Sequence, residues 1–146
     1  MKKANLLIIL FIIPAIFLAA VSAQDTEADK AAIQEVVIGG YIQPAFVNGD
    51  IEAMTKAFHP QFNMLILREN ILIKYPLKEW LKNIEKREFP SDNVVVYDIL
   101  NMDITGNAAA VKVEIVVPDK KYTDYLSLYR FKDGWKIVSK IYFQHN

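Results

Sequence analysis

The chain has 146 residues, no cysteine, and 17 Lys and Arg against 17 Asp and Glu. That length suits one domain, and the 53% hydrophobic share is enough to build a core, so a disordered chain is excluded. The lack of cysteine excludes disulfides, thiolate metal sites and a thiol nucleophile, and the lack of a basic block leaves no sign of a nucleic-acid partner.

The N-terminus reads as a signal peptide over residues 1–23. Met1-Lys2-Lys3 is a positive start, and Leu6 to Ala20 is an apolar run broken only by Pro14. Val21-Ser22-Ala23 places small residues where a peptidase cuts, so Gln24 would begin the mature chain. The run is short of the roughly 20 residues that a spanning helix needs. The expectation is an exported protein, periplasmic or secreted, with one domain over 24–146, a net charge of −2 and no membrane contact after cleavage.

Thr26 with Asp29 resembles a capping box at a first helix. Ile33, Val36, Val37, Gly40 and Tyr41 follow at helical spacing, and Pro44 predicts a kink near Gly39-Gly40. Asn48-Gly49 stops this helix, and Asp50 caps a second one through about Phe58. Phe62 to Leu67 and Ile71 to Lys74 make a short hairpin around Glu69-Asn70. Pro76 opens a third helix, with Leu77, Trp80, Leu81 and Ile84 on one face. Asn93 to Thr105 and Ala108 to Val117 are long strands about Gly106-Asn107. A last hairpin joins Tyr122–Phe131 to Trp135–Phe143 through Lys132-Asp133-Gly134.

Helices followed by antiparallel strands predict an α+β fold, with three N-terminal helices on a curved antiparallel sheet. A long twisted sheet curling round helices leaves a cone, and its mouth is where a ligand can bind.

Four stretches together resemble the nuclear-transport-factor-2-like superfamily (the SnoaL-like cone fold). They are Tyr41 through Asp50, Phe58-His59-Pro60, Ala109 through Val113, and Asp124 through Leu128 with Asp133 through Val138. Within that superfamily the chain most resembles the bacterial branch labelled putative lumazine-binding. The resemblance covers nearly all of Gln24–Asn146. It implies a cone-shaped α+β barrel that dimerises through the outer sheet face. It implies no chemistry, because this fold hosts enzymes, binding modules and scaffolds alike. No residue pattern reads as a pterin site.

In the steroid-isomerase branch of the same superfamily, a helix-1 tyrosine near Tyr41 donates a hydrogen bond to a substrate oxyanion. That chemistry also needs a carboxylate base on the first strand. Here Asn63-Met64-Leu65-Ile66-Leu67 has no acid, and the second acidic position falls near Ser127 or Leu128. An isomerase- or dehydratase-like alternative would therefore draw on Tyr41, His59 and Asp98. Asp98 and Asp103 fall on opposite faces of their strand if it is regular. His59 and His145 stand too far apart, without ligand spacing, for a metal centre. No cofactor motif is present.

The pocket candidates are Tyr41, Phe58, His59, Trp80 and Asp98, with Trp80 and Trp135 also suited to the core. Tyr125, Tyr129 and Phe131 share one strand face opposite Leu126 and Leu128, so both faces are apolar. One face would meet the helices and the other a second subunit, with Tyr125, Tyr129, Phe131 and Tyr142 at the contact. The expected function is an exported homodimer that binds a small, largely apolar molecule, with no assignable catalysis. The alternatives are the enzyme above and a structural accessory dimer.

Overall fold

The computed structural model describes residues 26–90 and 94–146; the expected signal peptide lies outside the described residues. The first helix, α1, is α-helical over residues 26–37 and continues as two π-helical turns, Ile38–Ile42 and Pro44–Asn48. The Gln43 N–H reaches back five residues to the Ile38 carbonyl, and the Gly49 N–H reaches Pro44 in the same way. Around Gly39-Gly40, where Pro44 predicts a kink, the helix widens its winding. Asp29, in the first turn, also reaches beyond the helix. Its carboxylate takes both Arg130 Nη1 at 2.9 Å and Trp135 Nε1 at 2.9 Å, tying the start of α1 to the last hairpin.

Gly49 ends α1 at φ +68, a conformation that a side chain would strain. The Asp50 carboxylate then accepts the Ala53 N–H at 2.9 Å and starts α2, Ile51–Ala57. α2 lies close against α1, because Gly40 has no Cβ to meet Ala57. The third helix, α3 (Leu77–Glu85), buries Leu77, Trp80 and Ile84. It does not sit at the N-terminus with the others. It follows β1 (Phe58–Arg68) and β2 (Ile71–Pro76), whose tight turn holds Glu69 and Asn70 at positive φ.

Four more strands complete the sheet: β3 (Val96–Thr105), β4 (Ala108–Val117), β5 (Lys120–Phe131) and β6 (Gly134–His145). The order is β2-β1-β6-β5-β4-β3. The sheet is curved but not wholly antiparallel, because β1 and β6 run parallel. A parallel pair needs a long crossover. Here the crossover is everything from β2 to β5, so the last strand closes beside the first and α3 is carried between them.

Two bulges decide which side chains face the helices. Leu100 is an extra residue on β3, between Ile99 and Asn101. Val138 is an extra residue on β6, because Leu128 pairs with Ile137 while Ser127 pairs with Ser139. Each bulge reverses the alternation beyond it. The core gathers Ile33, Val37, Ile42 and Met54 from the helices with Val113, Ile115, Leu126, Leu128 and Ile137 from the sheet.

Candidate functional site

Within that apolar interior sits a small polar cluster. Tyr41 comes from the first π turn of α1, Asp124 from β5 and Lys140 from β6. Tyr41 and Asp124 are 0% exposed and Lys140 is 5% exposed. Asp124 stands opposite Tyr142 and Lys140 opposite Leu126, so the acid and the base are diagonal neighbours on the inner face. Lys140 Nζ donates to Asp124 Oδ2 at 2.7 Å and also to the Tyr41 hydroxyl. The Tyr41 hydroxyl in turn donates to Asp124 Oδ2. Asp124 Oδ1 is buried and has no hydrogen-bond partner among the described residues.

Three rings surround the ammonium. Its nitrogen lies 4.7 Å from the Tyr41 ring centre, 5.1 Å from Tyr142 and 5.4 Å from Trp80. Such contacts favour the cation. Burial works against it and pulls the Lys140 pKa below its ordinary value, while the Asp124 carboxylate pulls back. Burial, and then the same carboxylate, raise the Tyr41 pKa well above its ordinary value. The hydroxyl therefore keeps its proton and uses it in the hydrogen bond that it donates to Asp124.

Lys140 forms the boundary between this cluster and a cavity of about 520 Å³. Met64, Ile66, Trp80 and Ile84 give the cavity apolar walls, and Tyr122 and Tyr142 present rings with polar tips. Arg68 and Arg87 also line it, whereas no described acidic side chain does. Arg87 Nη1 donates to the Ala45 carbonyl at 2.9 Å. A Tyr75–Asn83 hydrogen bond closes part of the wall. The Tyr122 pKa is raised, chiefly by burial.

Of the residues singled out from the sequence, Tyr41, Phe58 and Trp80 meet. Their rings pack edge to face, with Phe58 5.8 Å from Tyr41 and 5.4 Å from Trp80. Trp80 lines the cavity, and Phe58 is core beneath it. His59 is elsewhere, half-buried and stacked on Phe131 with ring centres 4.8 Å apart. Asp98 is exposed, and Asp103 is exposed on the same side, because the Leu100 bulge cancels their opposite parity. The set Tyr41, His59 and Asp98 therefore does not converge on one cavity. Nor is Tyr142 on the outer face with Tyr125 and Tyr129; it lines the cavity and faces Lys140.

Asp124 and Lys140 are the residues that sequence reasoning passed over. Asp124 shares its parity with Leu126 and Leu128, so a charge on an apolar face was legible there. The acid sits three residues before Ser127 and four before Leu128, the positions where an acid was expected. Lys140 carried no such signal, since the Val138 bulge alone turns it inward.

The family model for Putative lumazine-binding proteins matches residues 28–143. The chain belongs to that family. Its fold is that of nuclear-transport-factor-2-like proteins. One from Shewanella baltica, of unknown function, is 26% identical with a TM-score of 0.71, over 82% of this chain and 95% of that one. Another from Silicibacter pomeroyi, also of unknown function, is 20% identical with a TM-score of 0.72, over 82% and 98%. The S. rosetta CaMKII hub shares the fold at 21% identity and a TM-score of 0.58, over 79% and 95%. No curated protein matches the chain.

Proposed function

We propose that this chain is an exported, homodimeric binding protein that holds a small, largely apolar molecule in a conical cavity, with no assignable catalysis. The cavity beside the caged Lys140 carries this reading. It is concave and lined by apolar side chains together with a few polar ones, which is the usual make-up of a small-molecule site. A buried ion pair is also a weak source of net stability. Its place at a cavity boundary therefore fits a role in recognition. An oxyanion role for Tyr41 is not supported, because its one proton is engaged by Asp124.

The test is mass spectrometry of whatever small molecules are released when the purified protein is denatured. A stoichiometric organic molecule supports the reading. A protein that carries none, binds none from a metabolite mixture and gives no cavity in its crystal structure counts against it. Lumazine belongs in that mixture, since the family is named for it.

The dimer is proposed through the outer face of β5 and β6. Tyr125, Tyr129, Ile141 and Phe143 are 45%, 48%, 51% and 61% exposed there. Light scattering tests this, and a monomer at high concentration would remove it. Export is tested by N-terminal sequencing of the mature protein, which is expected to begin at Gln24; an intact Met1 would count against it.

A further inference from the structure

The charge distribution around the cavity narrows the class of ligand. The chain as a whole is neutral, with 17 cationic and 17 acidic side chains. The cavity wall departs sharply from that balance. Lys140, Arg68 and Arg87 line it, and no described Asp or Glu does. Lys140 is matched by Asp124, but the carboxylate lies behind it and is not part of the wall. Neither arginine has a carboxylate partner among the described residues. Arg87 spends one N–H on the Ala45 carbonyl, and a guanidinium has five.

Hydrogen-bond valence points the same way. The Lys140 ammonium has three donors. One goes to Asp124 Oδ2 and one to the Tyr41 hydroxyl, which leaves one donor on the only member of the cluster that reaches the cavity. The polar groups offered to a ligand are thus mainly donors. Tyr122 and Tyr142 can add hydroxyl donors at the same wall. Cations against low-dielectric walls attract an anion more strongly than they would in water.

We propose that the cavity binds an organic anion, with an apolar or aromatic body and a carboxylate-class head. The head is received by Lys140 and the two arginines, and the body lies against Trp80, Met64 and Ile84. This rests on the reading of the cavity as a small-molecule site. Trp80 then serves both ends, since its ring faces the Lys140 ammonium and also forms part of the apolar wall.

The experiment is calorimetric titration of the full mature chain with 2-naphthoate, 4-phenylbutyrate and octanoate, each paired with its carboxamide and its amine. The carboxylate is expected to bind at least tenfold more tightly than its carboxamide, and the amine not to bind. Raising the salt concentration should weaken the carboxylate alone. The variant Arg68→Gln/Arg87→Gln, made at exposed positions, should fold normally and lose most of the carboxylate preference. Equal binding of carboxylate and carboxamide, or a preference for the amine, overturns the anion and leaves the small-molecule site standing. So does a neutral or cationic molecule carried through purification in the cavity. Failure of every compound to bind, in a protein that carries no small molecule, overturns both.

Discussion

Each face of the β5–β6 hairpin carries one departure from the usual order of a sheet. Its inner face buries Asp124 and Lys140 among aromatic rings. Its outer face leaves Tyr125, Tyr129, Ile141 and Phe143 in solvent. A charge inside and a large apolar patch outside are the two informative departures from ordinary burial, since each costs stability in the isolated chain. The inner departure is compensated within the chain, by pairing and by the three rings. Among the described residues the outer one stays largely open to solvent, and on that contrast rest the proposed ligand site inside and the proposed contact surface outside.

The largest expected effect tests the inner face. Asp124→Ala leaves Lys140 buried without its partner and should cost about 3–5 kcal/mol in urea unfolding. The all-apolar variant Tyr41→Phe/Asp124→Leu/Lys140→Met should recover most of that loss, because it removes every group that needs a partner. Equal stability of parent and Asp124→Ala would mean that the ion pair is not formed in solution.

The outer face is tested next. Ile141→Asp/Phe143→Asp should weaken self-association by about 2–3 kcal/mol, or roughly 30- to 150-fold, in sedimentation equilibrium. The fold itself should persist by circular dichroism, because both side chains are exposed. An unchanged association constant would move the contact to another surface.

Tyr41→Phe is expected to be milder, at about 1.5–3 kcal/mol, for one hydrogen bond to a charged group. Its pH dependence is more telling. The Tyr41 pKa is raised in the folded state. Its stabilisation is therefore complete below the unfolded value near 10 and is lost as pH climbs towards the folded value. Lys140 is lowered, so it contributes in the opposite sense, gaining as pH rises towards its own unfolded value. Comparing Tyr41→Phe with the parent isolates the tyrosine. The gap in stability should stay level to about pH 10 and then close; a gap that stays constant to higher pH would contradict the buried hydroxyl. The smallest effect belongs to His59→Ala, which loses a ring stack on Phe131 and an exposed hydrogen bond from the Gln61 N–H, about 1 kcal/mol together, and should leave ligand binding unchanged.

Most of the element order was legible because it rests on local chemistry. Gly49 and Asp50 mark the α1–α2 junction, and Gly106 and Gly134 mark two hairpin turns. Leu77, Trp80 and Ile84 gave α3 its buried face. The site was legible only in part. Tyr41 and Trp80 stood out by type and spacing, and both lie against Lys140. Asp98 and His59 also stood out by type, but type alone does not say which way a strand residue points.

The amino-acid sequence by itself determined the α+β class, the family and nearly every element, because capping, turn chemistry and hydrophobic period act over a few residues. Only the tertiary structure decided the contents of the interior. One extra residue on β3 put Asp98 and Asp103 together in solvent, and one on β6 turned Lys140 inward and Ile141 out. A bulge is defined by what the neighbouring strand pairs with, so its consequence for each side chain appears only when the strands are in register. The parallel closure of β6 against β1 is of the same kind, since it joins the two ends of the domain across the whole chain between them.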